Sequence, residues 1–374
     1  MFFESIVEWF IYSNLAMINM MAQYFENAQF SPLQIGALMS IVPGMALIAN
    51  PFWFSLKRRV GEKKTLKYLT LIPAVLVWGI YLLPGFSPKL IALILFGFFA
   101  SSIVPIGEAG VMESLMAKGF HLDKARLMGT IGFSSISFVS GFLFEISFVF
   151  MFIISTAALV LTFCFSKKLQ TYEMVSQRKY TTDNSGNSKT FLFMLLTATI
   201  GIMGISFCGS FLPLLVSQKG FPDSTVGISF AVLSICEVPF LLFAKTIIKR
   251  TGSLFLVATG ILAIGIRLII TPLAQTPLQL VLTHILHGWN YIVIYYAIFN
   301  YIHFKIPEKR ANKAQAAFWM IIQGGGFLVG YLGGGIMVEL FGLISTYQIL
   351  SVMMFILSVP LFVWYFATLF GGSK

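Results

Sequence analysis

The chain has 374 residues, of which 57% are hydrophobic and only 10% charged, with a formal net charge of +11. So little polar side-chain surface excludes a water-soluble globule and points to an integral membrane protein. The basic residues fall in short clusters between apolar runs, which excludes the continuous basic groove of a nucleic-acid binder, and Cys164, Cys208 and Cys236 show neither a disulfide framework nor metal-ligand spacing.

A membrane-crossing helix needs about 20 largely apolar residues. Twelve segments qualify, at 5–25, 32–56, 65–84, 88–117, 122–144, 146–166, 190–217, 224–248, 253–273, 277–304, 311–340 and 343–370. Turn formers punctuate them at Ser31-Pro32, Pro84, Ser87-Pro88, Phe221-Pro222, Pro272, Thr276-Pro277 and Pro307. The first segment follows no basic leader or small-residue cleavage site, so it reads as a retained helix and not a removable signal. Along it Glu8, Tyr12, Asn19 and Gln23 share one helical face, an arrangement suited to lining a cavity and costly against lipid.

Between spans 2 and 3 lie Lys57, Arg58, Arg59, Lys63, Lys64 and Lys67. Further basic residues follow spans 4, 6, 8 and 10, and Lys374 ends the sequence, whereas Lys89 and Lys219 fall on the other side. By the positive-inside rule the crowded side is cytoplasmic and both termini lie inside. Span 4 carries Glu108, about nine residues or roughly 14 Å from its cytoplasmic end at ~1.5 Å per residue. Glu113, nearer that end, is expected to pair with loop cations. Spans 4 and 5 run antiparallel, so Arg126 can reach toward Glu108, with Phe133 two turns further on. A carboxylate and a guanidinium facing a wet cavity bind hydroxyls, and an aromatic ring covers a sugar or ring face. The alternative is an ion pair that only holds the two helices together.

The polar stretch 167–189 is a linker. It divides the chain into an N-terminal six-helix bundle, 1–166, and a C-terminal one, 190–374. An internal repeat supports the division: Phe30 to Gly61 aligns without gaps on Phe221 to Gly252, placing Gly36 on Gly227, while Lys124-Ala125 and Gly141 fall on Lys313-Ala314 and Gly330.

In the second bundle Glu237 on span 8 and His287 on span 10 lie at depths of roughly 20 Å and 15 Å from the outer surface. They are placed to meet and pass a proton, or to form a static bond between helices. Arg267 on span 9 either joins them or snorkels to the interface. His284, His287 and Tyr291 form a polar stripe on span 10, bordered by Asn290. Span 11 holds Gln323 and the glycines Gly324-Gly325-Gly326, Gly330 and Gly333-Gly334-Gly335, which read as close helix packing and not a phosphate loop.

Twelve spans, a central linker and a basic loop after span 2 resemble the major facilitator superfamily over essentially the whole chain. Pro105-Ile106-Gly107-Glu108-Ala109, followed by Lys124-Ala125-Arg126-Leu127-Met128-Gly129-Thr130-Ile131-Gly132-Phe133, is similar to the branch that holds lactose permease and the phenylpropionate permeases. The resemblance implies that Glu108 and Arg126 bind sugar, that Phe133 stands where that permease stacks a Trp, and that Arg267 and His287 serve proton coupling. Glu237 and Leu286-His287-Gly288 look more like the phenylpropionate group. Asn290 and His284 depart from the pattern, standing where lactose permease has a proton-releasing Glu and a Lys, and Arg58 replaces the usual Asp of the loop after span 2.

The expected protein is therefore an all-α integral membrane protein, with twelve transmembrane helices in two pseudo-symmetric six-helix bundles and both termini cytoplasmic. It is expected to be a monomeric, multi-pass transporter of a bacterial inner membrane, carrying a small organic solute such as a sugar, nucleoside or aromatic carboxylate by alternating access, with proton symport. Its partners are then solute, protons and lipid, with no nucleic acid and no cofactor. Glu108, Arg126, Phe133, Tyr12, Asn19 and Tyr291 are the expected solute contacts; Glu237, His287 and Arg267 the coupling group; His284, Asn290 and Gln323 the cavity lining. The rival readings are an uncoupled facilitator, a proton-driven exporter and, further off, a non-transporting sensor. An enzyme would need a nucleophile–base pair or metal ligands at one depth, and only His284 and His287 come near that.

Overall fold

The computed structural model describes residues 1–118, 123–169 and 188–371, for a few of which, Gln323 among them, only the backbone is described. In the first half the helices are α1 (Phe2–Asn27), α2 (Pro32–Val60), α3 (Glu62–Leu82), α4 (Phe86–Ala100), α5 (Ile103–Ala117), α6 (Asp123–Ile146) and α7 (Val149–Ser166). The second half has α8 (Ser188–Ser210), α9 (Leu212–Gln218), α10 (Ser224–Ile235), α11 (Glu237–Thr251), α12 (Ser253–Ile270), α13 (Pro277–Thr283), α14 (Tyr291–Lys305), α15 (Glu308–Phe318), α16 (Phe327–Phe341) and α17 (Leu343–Gly371). Among the described residues, ten helical stretches are long and apolar enough to cross a membrane. The two remaining expected spans are helical without being among those ten: 5–25 lies in α1, and 277–304 is divided into α13, a 3₁₀ turn over His284–Trp289, and α14. Most of the linker lies outside the described residues.

Prolines explain three of the breaks. A proline has no N–H to give the carbonyl four residues back, and its ring crowds that carbonyl. Pro105 thus separates α4 from α5 at Ser101-Ser102, Pro213 separates α8 from α9 at Phe211, and Pro239 separates α10 from α11 at Cys236. In span 11 the break is a π-helical stretch, Trp319–Gly326, that contains the three consecutive glycines. The glycines pack as expected from sequence: a Cβ on Gly324 would touch Leu47, one on Gly330 would meet Ser206 and Met203, and one on Gly334 would meet Phe207 and Phe211.

The two halves meet along two crossings, α2 with α16 and α6 with α10. Both depend on bare glycine. A Cβ on Gly36 would collide with the Tyr331 carbonyl oxygen and lie 3.1 Å from Gly335 Cα. One on Gly227 would collide with the Ser137 carbonyl oxygen and lie 2.5 Å from Gly141 Cα. Each crossing is finished by a carboxylate one turn beyond its glycine. Glu339, four residues after Gly335, accepts from the Leu33 N–H at 3.4 Å, and Glu145, four residues after Gly141, accepts from the Ser224 N–H at 3.1 Å. Both donors sit at helix N-termini, where unpaired N–H groups and the helix dipole favour an anion. The pairing matches Gly36 to Gly227 as the repeat predicts, but it corrects the other half of that alignment: the counterpart of Gly141 is Gly335, not Gly330. The Lys124-Ala125 side chains lie outside the described residues.

These contacts seal the end of the molecule that bears the turns at 28–31 and 219–223. Gln23 adds a bond to the Asp223 carbonyl at 3.0 Å, and burial, then the nearby Glu145 carboxylate, push the Asp223 carboxyl above its ordinary range. Toward the opposite, basic end α5, α11 and α15 pack mainly on helices of their own half. There Lys57 pairs with Glu62 at 2.8 Å and with Glu113 at 3.0 Å, as expected for Glu113. Lys89, one of the two basic residues counted on the sealed side, is no loop residue at all. It is buried, and its ammonium donates to the Tyr24 hydroxyl at 2.7 Å and to the Ile80 and Tyr81 carbonyls at the end of α3.

Candidate solute and coupling site

The site begins where the seal stops. The last bonds between α6 and α10 on the way down are Ser134 to the Ala231 carbonyl, 2.9 Å, and Ser234 to the Thr130 carbonyl, 3.3 Å. About one turn beyond these bonds stand Arg126 on α6 and Glu237 at the start of α11.

Arg126 donates through Nη1 to Glu108 Oε1, which also accepts from the Tyr12 hydroxyl. The guanidinium carbon stands 5.8 Å from the centre of the Tyr12 ring, in cation–π range. Local sequence makes this possible: Gly129, a turn after Arg126, leaves the space in which the Tyr12 ring lies, since a Cβ there would come within 2.6 Å of it. The Arg126 side chain is 37% exposed and that of Glu108 19%, so the pair is not sealed off inside the protein. Phe133 is buried in this state beneath Phe230 of the other half, ring centres 6.4 Å apart.

In the second half His287 ties two charged residues together. Its Nδ1 is 2.8 Å from Arg267 Nη1 and its Nε2 is 3.4 Å from Glu237 Oε1. A guanidinium only donates, so Nδ1 accepts and the ring proton sits on Nε2, aimed at Glu237. Close backbone approach fixes this alignment: a Cβ on Gly288 would collide with the Cys236 carbonyl oxygen, so only glycine lets residue 287 stand against residue 237. Arg267 is 2% exposed and does not snorkel to an interface.

The two groups stand on either side of one crossing: Ser234 and Thr130, bonded across it, lie three residues from Glu237 and four from Arg126. Tyr295 of α14 packs its ring on Phe318 and Trp319 in the second half. Tyr295 and Phe230 are absent from the residues expected on sequence grounds. For Tyr295 a signal exists, because it continues the stripe of His287 and Tyr291 by one turn; the three rings follow at 6.1 Å and 6.3 Å.

Other expected residues lie elsewhere. Asn19 donates to the Leu15 carbonyl of its own helix at 2.8 Å, and Gln23 belongs to the sealed end. His284 and Asn290 are fully buried and line no opening in this state. His284 Nδ1 lies 3.0 Å from the Leu280 carbonyl, and Asn290 Oδ1 caps the Tyr291 N–H at 2.5 Å. Tyr291 is half-buried beside His287. The Gln323 side chain lies outside the described residues.

Apolar helices in two glycine-packed halves, with a charged cluster where they part, define a multi-pass membrane transporter of the major facilitator type and not an enzyme. Residues 5–349 match the MFS_1 like family, and the chain belongs to that family. A maltose permease of Geobacillus stearothermophilus is 25% identical over 334 residues, covering 87% of this chain and 84% of that protein. The uncharacterized transporter YwbF of Bacillus subtilis (strain 168) is 25% identical over 248 residues, 64% of this chain and 61% of its own length. Among solved structures, a point mutant of the nucleoside transporter NupG superposes with a TM-score of 0.83 at 16% identity, covering 98% of both chains. An auto-inhibited peptide transporter of the POT family gives 0.74 at 11% identity, covering 97% of this chain and 96% of that one.

Proposed function

We propose that the protein is a proton-coupled symporter of a small hydroxylated solute, a sugar or a nucleoside, crossing the membrane twelve times with its basic end in the cytoplasm. In that orientation the state described above is closed to the outside and open inward. The observation that carries the reading is that the bonded Glu108–Arg126 pair of the first half and the Glu237–His287–Arg267 group of the second both stand next to the last bond between the halves, Ser234 to the Thr130 carbonyl. Solute hydroxyls engaging Glu108 and Arg126 would move a cation at that crossing and so change the field at Glu237. A carboxylate in a low-dielectric site takes up a proton when nearby positive charge is drawn away.

An aromatic carboxylate fits less well, because it needs a cation of its own. Arg126 is committed to Glu108, and Arg267 is buried and bonded to His287. The sugar named for the maltose permease and the nucleoside named for NupG agree in kind with a hydroxyl-binding site.

The test is solute-induced alkalinisation outside weakly buffered right-side-out vesicles containing the protein, with maltose, a nucleoside and phenylpropionate offered in turn. One hydroxylated solute is expected to raise the external pH and phenylpropionate to leave it unchanged. Downhill uptake of a solute without proton movement would make the protein a facilitator and overturn symport.

A further inference from the structure

Glu8 of α1 is completely buried, and among the described residues neither of its carboxylate oxygens has a hydrogen-bond partner. The other buried glutamates near the basic end are served by cations: Glu4 by Lys118 at 2.5 Å and by the N-terminal amine at 2.7 Å, and Glu62 by Lys57 at 2.8 Å. Glu8 is the exception. The ionisable groups that face it are Tyr12 one turn along its own helix, Glu108 of α5 and Arg126 of α6. Both donors among them are already given to Glu108, the Tyr12 hydroxyl and the Arg126 guanidinium alike. Two carboxylates thus share one cation, and the one without a donor is shut away from water. An ionised carboxylate in that position is strongly disfavoured, and a protonated one is not.

We propose that Glu8 is a second proton-binding group of the carrier, housed in the first half as Glu237 is in the second. It holds its proton as a carboxylic acid while Arg126 is bonded to Glu108. When the guanidinium turns from Glu108 to Glu8, the acid's O–H bond breaks, the proton passes to water between the halves, and the carboxylate left behind pairs with the cation. When the guanidinium returns, a proton from that water restores the acid. This rests on the transporter reading above, yet the protonated state itself is readable without transport.

The experiment is infrared spectroscopy of the purified full-length protein over a pH series, following the carbonyl stretch of protonated carboxylic acids. Glu8→Gln is expected to remove the intensity of one buried acid, and Glu8→Asp, which keeps an acid and guards against a folding failure of the first variant, to shift that band in frequency. Glu237→Gln, run alongside, marks the band that belongs to the second half. A band that neither shrinks in Glu8→Gln nor shifts in Glu8→Asp overturns the proposal. The outcomes separate from those of symport. A Glu8 band in a protein that moves no protons with solute upholds this assignment against coupling, and proton movement without a Glu8 band does the reverse.

Discussion

Arg126→Ala is expected to abolish measurable solute accumulation and to weaken solute binding by about 30-fold or more. Truncating one partner of a buried, hydrogen-bonded charge pair costs about 2–5 kcal/mol, and the partial exposure of Arg126 argues for the lower part of that range. At about 1.4 kcal/mol per tenfold, 2 kcal/mol is roughly 30-fold. The loss has two sources, since the alanine removes the solute's donor and leaves Glu108 with only the Tyr12 hydroxyl. Arg126→Lys keeps the charge without the planar fork and should recover only part of the affinity. Calorimetric titration of the purified variants measures this directly. Wild-type affinity in Arg126→Ala would remove Glu108 and Arg126 from the site and leave them as a helix-joining pair.

Gly227→Val is expected to hold the protein open at the end that is sealed here. The added Cβ would collide with the Ser137 carbonyl oxygen and stand 2.5 Å from Gly141 Cα, and both are backbone atoms that have no rotamer to escape into. Overpacking costs about 1–3 kcal/mol even where side chains can adjust, so the sealed population should fall by about tenfold or more. Gly36→Val should act the same way at the symmetry-related crossing. Disulfide trapping reads the effect: a cysteine pair at Gln23 and Asp223, adjacent across the seal, should cross-link readily in the parent and poorly in the Gly227→Val background. Equal cross-linking in both would show that the glycine contact does not govern closure.

What could be read from sequence was what depends on neighbours along one helix or one turn. Glu108 and Arg126 were legible because they lie 18 residues apart on consecutive antiparallel spans, so a short connection brings them together. Gly36 and Gly227 were legible because each follows the same Phe-and-Pro turn in its half. That Arg126 and Glu237 lie next to the same crossing was not, since this is set by where α6 and α10 meet, and no spacing within either helix contains that. The stripe on span 10 runs partly inside the protein in this state. His284 is fully buried with its Nδ1 3.0 Å from the Leu280 carbonyl, a tertiary burial that helical spacing does not contain, while His287 forms the ladder with Tyr291. Glu8 was visible as a polar residue of span 1, but that no described residue donates to it emerges only when Tyr12 and Arg126 are both seen to serve Glu108.

Glu237→Gln in reconstituted vesicles asks whether Glu237 carries the coupled proton. Glutamine keeps the shape and an acceptor for His287 Nε2 but cannot ionise. Uphill, proton-driven accumulation is expected to be lost while solute exchange across the membrane in the absence of a gradient persists. Unchanged accumulation in Glu237→Gln would show that the coupled proton is carried elsewhere.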